Sequence, residues 1–126
     1  MDQQKLILLV DDDLTLREMY EERLKAEGYN ITQATNGEEA LEKLKDSKPD
    51  IILLDIMMPK VNGFDVLKEL KANSEMKDIP VIILTALIQD VDRVQGKKLG
   101  AVDYIVKSET MPGEVIAKIK NALGGK

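Results

Sequence analysis

The chain predicts an α/β fold: one doubly wound, five-stranded parallel sheet with helices on both faces. Three observations lead there. Five short apolar runs alternate with segments of helical periodicity along the 126 residues. Three of those runs, LILLV, IILL and VIIL, show no polar alternation, as expected of strands buried on both faces. Four of the five runs stop at a polar residue of distinct chemistry: Asp11, Asp55, Thr85 and Lys107.

The first strand is read over Lys5 to Val10 and ends in Asp11, Asp12 and Asp13. Leu16, Met19, Tyr20 and Leu24 then recur at helical spacing as far as Gly28, a natural C-terminal stop. Asp13 suits the N-cap of that helix. Tyr29 to Ala34 alternates weakly, like an edge strand. Asn36 with Glu39 three residues on resembles a capping box, and Ala40, Leu41 and Leu44 form the apolar face of the second helix, which ends by Lys48-Pro49. The third strand is Ile51 to Leu54, closed by Asp55, with a turn marked by Pro59, Asn62 and Gly63. Phe64, Leu67 and Leu70 mark the third helix. Pro80 opens the fourth strand, which ends at Thr85. A fourth helix is expected from Ile88 to Leu99, with a thin apolar face of Val91, Val94 and Leu99. Gly96 inside it costs about 1 kcal/mol against Ala. Val102 to Val106 is the fifth strand, and Pro112 opens a helix carrying Val115, Ile116, Ile119 and Leu123.

Alternating strands and helices joined by short loops require right-handed parallel crossovers. The three most apolar strands belong in the centre, which gives the order 2-1-3-4-5 with the switch point between strands one and three. All 126 residues are read as one domain. The N-terminus lacks the basic residues of a signal peptide, and no apolar run approaches the roughly 20 residues of a membrane helix, so a cytoplasmic protein without membrane contact is expected. With no Cys and no His, thiolate or imidazole metal sites, Cys nucleophiles and His triads are excluded. A net charge of −5 argues against direct nucleic-acid binding.

In such a sheet, reactive groups lie beyond the carboxyl ends of the strands. Asp11, Asp12, Asp55, Thr85 and Lys107 should therefore meet over one edge. Each has an ordinary role available: loop acid, turn cap, strand end, solvated charge. Together they describe a chemistry. Clustered carboxylates repel and raise one another's pKa, and a hard cation such as Mg²⁺ resolves this with carboxylate, water and phosphate oxygens. A threonine hydroxyl and a lysine beside it suit phosphoryl oxygens, which leaves Asp55 as a nucleophile towards phosphorus.

The motifs LLVDDD, LLDIMMP followed by Asn62-Gly63, LTA and Tyr104-Ile-Val-Lys107 resemble the receiver domain of two-component response regulators over essentially the whole chain. That resemblance implies a flavodoxin-like fold and a phosphorylation-activated signalling switch, not a turnover enzyme. It implies that Asp55 takes a phosphoryl group from a sensor histidine kinase or a histidine phosphotransfer protein. Asp12, Asp55 and the main-chain carbonyl of Met57 would ligate Mg²⁺, with Asp11 helping through water. Thr85 and Lys107 would hold the phosphoryl oxygens. Thr85 and Tyr104 would carry the change to the surface of helix four, strand five and helix five, which would control a downstream protein. Met57 and Leu87, at the positions that tune dephosphorylation, offer no group to position water. One departure is Ser108, where the family usually has a cis proline; a cis bond there would cost about 3 kcal/mol. A stand-alone receiver or the front part of a longer regulator is expected. A phosphatase of the haloacid dehalogenase type is the rival reading, but DDDLT lacks that family's D-x-D-G-T glycine. A flavodoxin is disfavoured by the acidic first loop.

Overall fold

The computed structural model describes residues 5–56, 62–85, 90–107 and 112–124. Strands β1 (Leu6–Val10), β2 (Asn30–Ala34), β3 (Ile51–Asp55), β4 (Val81–Thr85) and β5 (Asp103–Val106) alternate with helices α1 (Leu14–Ala26), α2 (Gly37–Asp46), α3 (Gly63–Ala72), α4 (Asp90–Lys98) and α5 (Pro112–Gly124). All four strand pairings are parallel, in the order β2-β1-β3-β4-β5, as the apolar gradient among the runs predicts.

The two-residue period of the strands divides the core in two. Leu8, Val10, Ile52, Leu54, Val81 and Ile83 face one layer, where Ala40, Leu44, Val66, Leu67 and Leu70 of α2 and α3 cover them. Ile7, Leu9, Ile51, Leu53, Ile82, Leu84 and Ile105 face the other, beneath Tyr20, Leu24, Val115 and Ile119 of α1 and α5. β3 and β4 are buried at every residue, whereas β2 is partly exposed along most of its length, as an edge strand should be.

Local chemistry sets the helix starts. The Asp13 side chain accepts from the Leu16 N–H, Asn36 from Glu39 N–H and Asn62 from Asp65 N–H, so three Asx N-caps lie just beyond strands β1, β2 and β3. Glu39 reaches back one residue further than a capping box would, accepting from both the backbone N–H and the hydroxyl of Thr35. Those bonds hold its carboxyl below the usual range. Gly28 and Gly100 end α1 and the α4 turn at φ of 95° and 102°, where L side chains are strained.

Two expectations about helix faces need correction. Met19 was expected on the buried face of α1 but is exposed; Arg17, Tyr20 and Leu24 form the buried stripe. Val94 was expected on the apolar face of α4 but is also exposed, and Gly96 takes the buried position. A Cβ at Gly96 would stand 2.5 Å from Ile83 Cδ1, so the glycine lets α4 approach β4 closely. Its propensity cost is thus the condition of that contact. α4 closes at Lys98, one residue before the expected Leu99. Ile88, like Met57, Leu87 and Ser108, lies outside the described residues.

Candidate functional site

Parity along the strands explains which side chains meet. Asp11, Asp55 and Lys107 continue the alternation of Leu9, Leu53 and Ile105, on the α1/α5 side of the sheet. Thr85 and Tyr104 continue that of Ile83, on the side that faces α4. The Lys107 N–H donates to the Thr85 carbonyl at 2.7 Å, which aligns the ends of β4 and β5.

The acids form a tight group. One carboxylate oxygen from each of Asp11, Asp12 and Asp55 lies within 4.8 Å of the others. Asp11 is fully buried and Asp55 is 2 % exposed, whereas Asp12 is open to solvent. Lys107 Nζ stands 2.6 Å from Asp11 Oδ2 and 3.3 Å from Asp55 Oδ2, bridging the two buried acids. Asp11 Oδ2, fully buried, has the Lys107 ammonium as its close partner. Asp11 Oδ1 accepts from the Asp13 N–H at 2.8 Å.

The charges respond accordingly. Burial pushes the Asp11 carboxyl above its ordinary value; Lys107 and the Asp13 N–H oppose this, and Asp12 adds to it. For Lys107, burial acts to lower the ammonium's pKa, but Asp11 and Asp55 outweigh burial and raise it. Lysine is thus acting as the counter-cation of an acidic pocket. The donors are all hard carboxylate oxygens, and they suit a small divalent cation such as Mg²⁺.

Asp11, Asp12, Asp55, Thr85 and Lys107 all fall at the carboxyl edge of the sheet, as expected from the strand ends. Thr85 is fully buried at the end of β4. Tyr104, half-buried, packs against the core on the α4 side, its register with Ile83 two residue pairs before that of Thr85 with Val106. Two further residues belong to the setting. Gly63 at the start of α3 is pressed against the chain just after the phosphoacceptor candidate: a Cβ there would lie 2.4 Å from the Asp55 carbonyl oxygen. The sequence marked it only as a turn residue. Arg17 is buried on α1, its Nη1 2.7 Å from the Asp11 carbonyl oxygen and its Nε 3.0 Å from Gln33 Oε1. Its spacing with Tyr20 and Leu24 was the available signal, hidden because a charged residue is rarely read as part of a core stripe.

A family model described as the response regulator receiver domain matches residues 7–120. The chain is 44 % identical over 121 residues to a probable transcriptional regulator, ycf27, of Porphyridium aerugineum, covering 96 % of this chain and 49 % of that one. It is 41 % identical over 119 residues to the alkaline phosphatase synthesis transcriptional regulatory protein PhoP of Bacillus subtilis, covering 94 % and 48 %. The chain thus spans about half the length of these curated relatives. Among solved structures, the chemotaxis protein CheY4 of Vibrio cholerae superposes with a TM-score of 0.90 at 30 % identity, covering 96 % of this chain and all of that one.

Proposed function

The chain belongs to the response regulator receiver family, and from that premise we propose that Asp55 is its phosphoacceptor and that the domain works as a phosphorylation-controlled switch. The observation that carries the proposal is the pairing of a nearly buried Asp55 with two other carboxylates and a bridging lysine at one strand edge. The donor would be a phosphohistidine on a sensor kinase or a phosphotransfer protein. An Asp55 carboxylate oxygen attacks phosphorus in line, an acyl phosphate bond forms, and the P–N bond to the donor imidazole breaks.

Each neighbour has a part. Asp55 ends a strand buried at every residue, so it is presented with little freedom and little lost entropy. Asp12 and Asp55 would hold Mg²⁺, with Asp11 beside them and the carbonyl of Met57 as a further ligand. The ion would shield the negative charge that gathers as phosphoryl and carboxylate approach. Lys107 is already held among the acids, so it can pass from Asp11 to a phosphoryl oxygen without a new charge being buried. Thr85, of the opposite parity, would turn its hydroxyl to the phosphoryl group and so draw on the α4 side of the sheet, where Tyr104 packs. The modified residue is on the protein itself, so the chain is proposed as a switch and not as a turnover enzyme.

Its output is proposed to be a changed protein-binding surface over α4, β5 and α5. The relatives named as transcriptional regulators are about twice as long, and regulation of transcription is said of those proteins as wholes. For this domain, the acidic balance favours a protein partner over direct nucleic-acid contact. The test is hydrogen exchange with Mg²⁺ and beryllofluoride, a phosphoryl mimic. Exchange should change in α4 and β5 as well as around Asp55. Changes confined to the neighbourhood of Asp55 would leave the domain without a switch.

A further inference from the structure

We infer that Arg17 is a positioning residue for the cation site: its guanidinium clamps the peptide between Asp11 and Asp12 and so aims both carboxylates at Asp55. The inference rests on the proposed Mg²⁺-dependent phosphoacceptor.

Arg17 is 8 % exposed, and a buried guanidinium is costly unless its partners repay its lost hydration. Its fork does not serve a carboxylate here. Nη1 donates to the main-chain carbonyl of Asp11 at 2.7 Å, and Nε donates to the amide oxygen of Gln33 at 3.0 Å. Gln33 is on β2, so one side chain ties α1, the edge strand and the β1–α1 loop together.

The place of that carbonyl gives the clamp its meaning. It belongs to the peptide that joins Asp11 to Asp12. The other side of Asp11 is already fixed, because its N–H donates to the Ala34 carbonyl at 3.1 Å. Asp11 Oδ1 meanwhile accepts from the Asp13 N–H. With Arg17 in place the chain is held by hydrogen bonds on both sides of Asp11. Asp12 is exposed, so no packing around its own side chain directs it. Its carboxylate comes within 4.8 Å of the other two through the backbone that carries it. A shorter or less polar side chain at 17 would let that peptide tilt and spread the three oxygens.

The charge of Arg17 works in the opposite sense. A positive group this near repels an incoming cation, so charge and geometry predict opposite outcomes. The test is calorimetric titration of the intact chain with Mg²⁺, for wild type, Arg17→Met, Arg17→Lys and Gln33→Leu, with exposed Arg23→Met as a charge control. Positioning predicts that Arg17→Met weakens Mg²⁺ binding about 10-fold, as loss of outer-shell support commonly does. Arg17→Lys should recover only part of this, because a point ammonium cannot hold two oxygens in a fork. Gln33→Leu should shift in the same direction and carries the test should Arg17→Met fail to fold. Arg23→Met should bind as wild type does. Unchanged or tighter binding by Arg17→Met, or by Gln33→Leu where that variant must stand in, overturns the inference. An Arg17 with only a stabilising role would lower the melting temperature and leave the dissociation constant of the folded chain alone. A wild-type chain that binds no Mg²⁺ overturns the proposed function, and this inference with it.

Discussion

Replacing Lys107 by Met takes away the ammonium that bridges Asp11 and Asp55 and keeps most of the apolar stem. Two buried carboxylates then face each other, and solvated Asp12, without that cation. Breaking a buried pair from one side typically costs about 3–5 kcal/mol, because the remaining charge is left uncompensated. Lys107 is 17 % exposed, so water softens the loss and about 3 kcal/mol is expected. An unfolding entropy of about 2.1 cal/mol/K per residue over 126 residues converts that to a fall in Tm of about 11 °C in metal-free buffer. Mg²⁺ should restore most of it. A ligand at one hundred times its Kd contributes about 2.7 kcal/mol by mass action, and in the variant no ammonium stands beside Asp55 to repel the ion. The assay is a pair of thermal melts, with chelator and with millimolar Mg²⁺, on wild type and Lys107→Met. A variant that melts within about 2 °C of wild type without metal would refute the reasoning about the buried pair. Equal Mg²⁺ shifts in the two proteins would refute the repulsion between the ammonium and the metal ion. The pH dependence has a definite sign. The folded pKa of Lys107 is raised above the ordinary 10.5, so its contribution is complete below that value and fades as pH climbs through the folded value. The gap between the two proteins should close on that alkaline side.

Other perturbations probe other parts of the structure. Asp12→Asn should abolish the Mg²⁺-dependent rise in Tm while altering metal-free stability little, since Asp12 is exposed; differential scanning fluorimetry reads both. Gly63→Ala should destabilise by about 3 kcal/mol or more, because its Cβ would fall 2.4 Å from the Asp55 carbonyl oxygen and backbone cannot yield as a side chain does. Gly113→Ala, with nothing within 4 Å of the new carbon, should instead stabilise by about 0.5–1 kcal/mol; urea melts of the two variants make the comparison. Glu39→Gln removes a carboxylate whose pKa is held down by the Thr35 backbone and hydroxyl bonds. Its stabilising effect is present above the ordinary 4.5 and is lost as pH falls through the lower folded value, so the wild-type advantage in Tm should shrink in acid.

The fold was legible because its signals are local and mutually consistent. Unbroken runs such as Ile51 to Leu54 mark strands buried on both faces, and the weaker alternation around Ile31 and Thr32 marks an edge. The site was legible for the same reason. The strand ends lie on one edge, which brings Asp11, Asp55 and Lys107 together, while Thr85 ends β4 on the opposite parity. What escaped notice depends on contacts across the fold. Arg17 looks like a surface charge until a backbone carbonyl is found to receive it. Gly63 looks like a turn until α3 is seen pressing on the chain after Asp55, and Gly96 looks like a defect until Ile83 is found beside it. Val94 and Met19 misled because periodicity finds an apolar stripe without telling which way the helix is rolled. Polarity misled for Arg17, whose spacing with Tyr20 and Leu24 fits the buried stripe while its charge argues for the surface.

The aspartate that takes the phosphoryl group separates a receiver from its rival. Phosphatases of the haloacid dehalogenase type attack from strand one, which in this chain is Asp11; a receiver attacks from strand three. Incubation with acetyl phosphate and Mg²⁺, reduction with borohydride and peptide mass spectrometry locate the trapped acyl phosphate. The predicted result is a label on Asp55 alone, lost in Asp55→Asn because an amide is no nucleophile, and partly kept in Asp11→Asn because Asp12 and Asp55 can still hold the metal. A label on Asp11 that persists in Asp55→Asn would contradict the account, however well the strand-edge geometry fits.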